Sequence, residues 1–320
     1  SVRNGNMWIR AVTVLLVAAL VSVVAACGGG SGGGAQGGGE GGSGDKSITV
    51  SSKKFTEQIL LGEMYGQAFE NAGYDVERKL NLGSEQIMDK SLRDGSIDVY
   101  PEYTGTALVA IVKDERGKRD TPEETYKVVD EFYQNRDPKM KMLEPAPFDN
   151  NYGIVMRTEK AEELGIENMQ DLADNSDQLV FSSYSEFQNR ADGFPNMQKN
   201  YNDGFKFKDI KIVNDLGIRY KALAEGEADV AIGFTTDGQL ASDELRVIED
   251  KKAIWPYYYP APVLMQKFLD DNPDAEKILN EVSQSLDAEK MRELNGAVDL
   301  EQEDPEDVAQ QHLEDAGILD

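Results

Sequence analysis

From Ser47 onward the apolar positions switch between two periods. Ile48 and Val50 flank Thr49 as a short strand would place them. Leu60, Met64, Ala68 and Ala72 then recur every fourth residue, the spacing of one helix face. Thr56 is the expected N-cap, Glu57 falls in the first turn, and Gly73 closes the helix. Tyr74, Val76, Leu80 and Leu82 share one parity, which predicts a strand buried on one face. Ser84 opens a second helix with Ile87, Met88 and Leu92 turned inward and Gly95 at its end. Residues 97–100 read as the next strand. Elements alternating at this length predict an α/β layer with a mainly parallel sheet.

A weak internal repeat runs at an offset of about 131 residues. Leu92-Arg93-Asp94-Gly95-Ser96-Ile97-Asp98-Val99 resembles Leu223-Ala224-Glu225-Gly226-Glu227-Ala228-Asp229-Val230. The same offset sets Ser51-Ser52 on Ser182-Ser183, and Tyr103-Thr104 on Phe234-Thr235. Two readings fit. Two similar lobes could each offer one aromatic to a cleft at the carboxyl ends of their strands, where open α/β sheets bind ligands. Alternatively, two βα units resemble each other by chance.

The second half repeats the alternation. Strands are expected at 152–156, 179–182, 210–213 and 230–232, with helices at 161–164 and 216–225. Residues 254–265 return the chain to the first lobe, and amphipathic helices follow at 275–286, 288–298 and 305–316. The organisation read from this is a first lobe at 46–150, a second at 151–261 and a return segment at 262–320.

The N-terminal residues carry an address. Arg3 and Arg10 precede an apolar run over 11–26, shorter than the ~20 residues a spanning helix needs. The run reads as the apolar centre of a secretory signal peptide, residues 1–26. Val24-Ala25-Ala26-Cys27 resembles a bacterial lipobox, which makes Cys27 the lipidated first residue of the mature chain. An ordinary signal peptide with a bystander cysteine is the alternative. Residues 27–45, nearly all Gly and Ser, cannot bury apolar surface and form a tether. Gly29-Gly30-Ser31-Gly32-Gly33 matches a hydrolase elbow only formally, because no strand precedes it and no helix follows.

Charge and composition exclude several functions. Acids outnumber bases 59 to 33 for a net charge of −26. Nucleic-acid binding needs a cationic face, and charge-driven docking on anionic lipid is disfavoured for the same reason. One Cys and one His leave no disulfide within the chain, and a zinc site would need carboxylates almost throughout. His312 lies in a polar helical stretch and reads as a surface residue. No Walker-type loop or HExxH segment occurs, and no nucleophile is identifiable beside a base. The carboxylate pairs read as solvated faces. No enzyme activity, metal or cofactor is expected.

The aromatic residues carry more. Trp255-Pro256-Tyr257-Tyr258-Tyr259-Pro260 sets four rings between prolines. Tyr103 lies in Pro101-Glu102-Tyr103-Thr104-Gly105-Thr106, Tyr152 follows Asn150-Asn151, and Phe234 opens Phe234-Thr235-Thr236-Asp237-Gly238. All fall at expected strand ends or lobe crossings, where loops carry sites. Ring faces attract poorly hydrated cations, each worth ~0.5–2 kcal/mol. A quaternary ammonium has no N–H to donate, so a cage of rings is its natural receptor. Taken singly, each of these rings is more often core than ligand contact.

Four ordered motifs complete the reading: Ser52-Lys53-Lys54-Phe55-Thr56-Glu57-Gln58, Pro101 to Thr106, Arg219-Tyr220-Lys221-Ala222-Leu223 and Thr235-Thr236-Asp237-Gly238. From about Ser47 to the C-terminus the chain resembles the substrate-binding lipoproteins of bacterial glycine betaine/choline ABC importers. The resemblance implies a two-lobed type II periplasmic binding protein fold, with a hinge and a ligand cleft between the lobes. It also implies an aromatic cage of Tyr103, Tyr152, Phe234 and Tyr258, with Phe234 standing where the family usually has Tyr. Tyr257 and Tyr259 are neighbours that could replace Tyr258. Lys53, Thr106 and Arg190 would hold a betaine carboxylate, Arg190 lying in an Arg-x-Asp-Gly segment. For Lys53 the alternative is a plain surface residue, and for Arg190 a salt bridge to a nearby acid. Thr106 points to betaine over choline. The implied partners are a quaternary amine, an ABC permease with its ATPase, and the membrane through lipid on Cys27. The protein is expected to act outside the cytoplasm as a monomer, in osmoprotection. A choline or carnitine receptor, or a sensor or hydrolase reusing the fold, are the rival readings.

Overall fold

The computed structural model describes residues 46–320, so the expected signal peptide at 1–26, the expected lipidation site Cys27 and the tether expected at 27–45 lie outside the described residues. Ten strands form two five-stranded sheets. The first contains β1 (Ser47–Lys53), β2 (Asp75–Gly83), β3 (Val99–Tyr103), β4 (Met140–Met142) and β10 (Pro260–Met265) in the order β2-β1-β3-β10-β4. The second contains β5 (Tyr152–Arg157), β6 (Val180–Ser183), β7 (Asp209–Ile212), β8 (Val230–Phe234) and β9 (Leu245–Val247) in the order β7-β6-β8-β5-β9.

Each sheet is mixed, which corrects the expectation of a mainly parallel one. β1 is parallel to β2 and β3, but β10 is antiparallel to both β3 and β4. The second sheet repeats this with β5 antiparallel to β8 and β9. The cause is the crossing of the chain. β5 leaves the first lobe and β10 returns to it, and each enters its sheet against the direction of the βα units already there. The two crossing segments run together: Asn150 N–H donates to the Tyr258 carbonyl at 3.0 Å and Tyr258 N–H to Asp149 Oδ1 at 2.8 Å.

The repeat is a structural one. Val50 pairs with Val99 and Phe181 with Val230, each pair shifted by the same 131 residues. Asp98 accepts from the Thr49 N–H at 2.7 Å, and Asp229 accepts from the Val180 N–H at 2.9 Å. Gly95 and Gly226 both close their helices at positive φ, 79° and 76°, where a side chain would be strained. Tyr103 and Phe234 therefore end equivalent strands, β3 and β8.

The core follows the apolar pattern with two local departures, Leu82 and Ile87. Leu60, Leu61, Met64, Ala68 and Phe69 of the helix Thr56–Asn71 pack with the C-terminal helices through Leu279, Val282, Met291 and Leu313. Leu82 is 37% exposed, because Asn81 adopts φ 58° and the pairing with β1 slips there, so the alternation of β2 breaks. Ile87 is 46% exposed, unlike Met88 and Leu92 on the same helix, Glu85–Arg93. Thr56 is the first helical residue and not the cap, its hydroxyl donating instead to Asp299 at 2.6 Å. His312 also departs from its expected exposure. It is buried on the helix Pro305–Asp315, its Nε2 lies 2.9 Å from Ser285 Oγ, and desolvation holds its pKa below the usual histidine value. No helix among the described residues is long and apolar enough to cross a membrane.

Candidate functional site

A cavity of about 890 Å³ opens where β3 and β8 end. Lys53, Tyr103 and Thr106 line it from the first lobe. Tyr152, Arg190 and Phe234 line it from the second, and Tyr258 from the crossing segment. All seven residues expected from the sequence thus face one space. Tyr257 and Tyr259 are not among its lining residues. Tyr257 turns away to donate to the Asp120 carbonyl at 3.1 Å. Tyr258 reaches the cavity because Gly105 lies against it: a Cβ there would sit 2.6 Å from the Tyr257 carbonyl and 2.8 Å from the Tyr258 ring. That is the physical reason for glycine in the Tyr-Thr-Gly-Thr turn.

Two rings missing from the expected cage complete the wall. Phe55 stacks with Tyr103 at 6.1 Å between centroids and with Phe234 at 5.8 Å. Tyr184 lies 6.3 Å from Phe234. Tyr152 sits between them, 5.9 Å from Phe234 and 5.4 Å from Tyr258, edge-on to the latter. Phe55 was present in the motif beginning at Ser52, beside the lysine that drew notice. Tyr184 carried a different signal, since the 131-residue offset from Lys53 lands on it.

The rings are held by buried acids. Tyr103 donates its hydroxyl to Glu57, a buried carboxylate that also accepts from Asn150 Nδ2 at 2.6 Å, Thr236 Oγ1 at 2.7 Å and Asn295 Nδ2 at 3.1 Å. Burial pushes the Glu57 pKa up, and these four bonds oppose the shift. Tyr258 donates to Asp192 at 2.5 Å. A phenol that donates a hydrogen bond to a carboxylate gains electron density in its ring, which strengthens the attraction of the ring face for a cation. Sequence reasoning passed over Glu57 because its four partners come from four distant segments.

The basic groups are less free than the sequence suggested. Lys53 Nζ forms a buried ion pair with Glu102 at 2.7 Å and lies 5.0 Å from the Tyr103 ring centroid. Arg190 meets Asp192 through two bonds of 2.9 and 2.6 Å, and approaches Glu85 of the other lobe at 3.7 Å. It therefore both lines the cavity and makes the salt bridge held open as its alternative. Glu85 keeps a pKa below the ordinary value: burial alone would raise it, but the Arg190 and Lys53 charges outweigh that. The Thr106 hydroxyl makes no hydrogen bond among the described residues. Arg219, also missed as a site residue, lines the same space. No cluster of residues able to hold a metal ion occurs among the described residues.

Comparison with known proteins gives the family and the fold. Residues 46–315 match the family model of the substrate-binding domain of ABC-type glycine betaine transport systems. The chain is similar to the glycine-betaine-binding protein of Pseudomonas aeruginosa, 31% identical over 284 residues, 86% of this chain and 89% of that protein. It is similar to the glycine betaine-binding protein YehZ of Escherichia coli, 29% identical over 279 residues, 84% and 90% of the two chains. Its fold matches the crystal structure of a glycine betaine/carnitine/choline ABC transporter protein with a TM-score of 0.70 at 24% identity, covering 85% of this chain and all of the other. Such a likeness carries the two-lobed type II periplasmic binding protein fold. The chain accordingly belongs to the family of substrate-binding domains of ABC-type glycine betaine transport systems, solute-binding proteins and not enzymes.

Proposed function

We propose that the cavity between the lobes binds glycine betaine or a closely related quaternary ammonium solute, and that the loaded protein delivers it to an ABC permease. The observation that carries this reading is the ring of aromatics from both lobes around one space. Phe55 and Tyr103 come from the first, Tyr152, Tyr184 and Phe234 from the second, and Tyr258 from the crossing. Methylated ammonium groups fit such a wall, because ring faces attract the charge and no hydrogen bond has to be made. Contacts from both lobes favour the closed state when ligand is present, which is the population shift a transport signal requires. The carboxylate end would lie against the polar wall of Lys53, Thr106 and Arg190.

Lipid anchoring through Cys27 belongs to the same proposal, supported by the Val24-Ala25-Ala26-Cys27 motif. Retention near the permease would raise the effective concentration of loaded receptor. Osmoprotection is the physiological role this ligand class suggests.

Choline is the second reading. The pairing of Lys53 with Glu102 and of Arg190 with Asp192 favours it, because a ligand carboxylate would approach cations already neutralised. Calorimetric titration of ligand-stripped protein with glycine betaine and then choline separates the two. Tight betaine and weak choline binding is the expected result. The reverse order makes the protein a choline receptor, and no heat with either ligand removes the quaternary-amine reading.

A further inference from the structure

Glu85 opens the helix Glu85–Arg93 of the first lobe, is 5% exposed and lines the cavity. Its carboxylate lies 3.7 Å from Arg190 Nη1 of the second lobe, and Gln86 Nε2 donates to it at 3.4 Å. Neither nearby cation belongs to Glu85 alone. Arg190 is held closer by Asp192, through bonds of 2.9 and 2.6 Å, and Lys53 by Glu102 at 2.7 Å. Three carboxylates thus share two cations at the polar wall, and Glu85 is the one in excess. It is nonetheless charged: burial acts to protonate it, but the Arg190 and Lys53 charges outweigh burial. The other charged groups of the cavity do not pair with it. Arg219 is tied to the Ile232 and Val213 carbonyls at 2.9 Å each and stacks on Tyr184, with Cζ 4.7 Å from the ring centroid. Lys54 and Glu186 also line the cavity, but both are exposed and opposite in sign, so solvent screens them.

We propose that Glu85 is a specificity-determining residue of the cavity, the unbalanced carboxylate that disfavours a ligand carboxylate at the polar wall and favours a ligand of net positive charge. The inference rests on the quaternary-amine reading, and it keeps the ligand carboxylate where that reading puts it, against Lys53, Thr106 and Arg190. A carboxylate placed there comes close to Glu85, because one of the two cations it meets lies 3.7 Å from Glu85. Like charges near each other in a medium that screens weakly repel strongly. Betaine carries its ammonium among the rings, farther from Glu85 than its own carboxylate, so the net effect of Glu85 on betaine is repulsion. Choline has no carboxylate. Its single positive charge gains from the same anion, and its hydroxyl is a donor that Glu85 can accept. Specificity is a difference of affinities, set by repulsive groups as well as attractive ones. Glu85 is in this account the group that works against the Lys53, Thr106 and Arg190 wall and limits the preference for betaines.

The test titrates glycine betaine and choline into wild type, Glu85→Gln and Glu85→Asp, with a thermal melt of each. Glu85→Gln removes the charge and keeps the shape. Its betaine affinity is expected to rise and its choline affinity to fall, so that the betaine-to-choline ratio increases about tenfold or more. Glu85→Asp keeps the charge and should stay near the wild-type ratio. Losses of similar size for both ligands in Glu85→Gln would overturn the proposal, since that is what loss of the tie between Glu85 and Arg190 across the lobes would produce by itself. An unchanged ratio would overturn it too. If Glu85→Gln fails to fold, Glu85→Ala decides through the same ratio. If wild type binds only one of the two ligands, the direction of change for that ligand decides. Wild type that binds neither rejects the cavity reading itself and this role with it, an outcome distinct from wild type that binds while the variants leave the ratio flat.

Discussion

Thr236 donates its hydroxyl to Glu57 at 2.7 Å, a bond between residues 179 positions apart that joins the end of the second sheet to the first helix of the first lobe. The same carboxylate accepts from Tyr103, so one buried acid both ties the lobes and positions a ring of the cavity wall. Glu57→Gln replaces an acceptor oxygen by a donor among four donors, and at least one must go unpaired. A buried unsatisfied polar group costs about 1–3 kcal/mol. The variant should therefore lose stability of that order in urea denaturation. It should also bind quaternary amines more weakly, because Tyr103 loses its anchor.

The rings make a graded prediction. Tyr103→Ala and Tyr152→Ala should each weaken every quaternary amine about tenfold or more, which corresponds to ~1.4 kcal/mol. Phe55→Ala should do the same, because Phe55 stacks on both Tyr103 and Phe234. Tyr103→Phe keeps the face and loses the bond to Glu57, so its loss should be smaller. Calorimetric affinities for betaine and choline check the series, and unaltered affinity in the alanine variants rules out the cage.

Lys53 and Glu102 form a pair so deeply buried that Glu102 has no exposed surface. Removing one partner strands the other, which typically costs about 3–5 kcal/mol. Lys53→Met should therefore destabilise the protein by that order. Lys53→Met combined with Glu102→Leu should recover most of the loss, though Tyr100 and the Tyr103 N–H then lose an acceptor. Chemical denaturation of the single and double variants measures the coupling.

Asp237 gives a pH signature. Burial pushes its pKa from the ordinary aspartate value up to about 7, although it accepts from the Phe234 N–H and the Tyr220 hydroxyl at 2.7 Å each. The folded state thus holds a proton that the unfolded chain releases near pH 4. Between about pH 4 and 7 this group makes stability fall as pH rises, by at most about 1.4 kcal/mol per unit. Below that window its full contribution is present, and above it the contribution is lost. Asp237→Asn cannot ionise and still accepts through its amide oxygen. The variant should show a flatter stability profile across that window, read from urea midpoints at a series of pH values.

Much of this molecule was legible along the chain. The four-residue period of Leu60 to Ala72, the glycines at 73, 95 and 226, and the strand motifs all depend on near neighbours, so local sequence carries them. The 131-residue offset was legible too, because equivalent turns need equivalent residues: Asp98 and Asp229 cap the same backbone contact in their two sheets. Tyr103, Tyr152, Phe234 and Tyr258 stood out because they fall at expected strand ends or lobe crossings, where loops carry sites, and the structure sets them around one cavity. What escaped were relationships between distant segments. The antiparallel entry of β5 and β10 follows from where the chain crosses between lobes, not from any property of those strands. His312 reads as polar surface in its own helix and is buried only because the helices around Ser285 close over it. Glu57 was placed only as an acid in a first helical turn, and its role escaped because its four partners come from segments as far away as Asn295. The states of Lys53, Arg190 and Arg219 were the least readable. Composition counts a cation, but its freedom to meet a ligand depends on which carboxylate folding brings within reach, and that is a matter of three-dimensional distance in a medium that screens charge weakly.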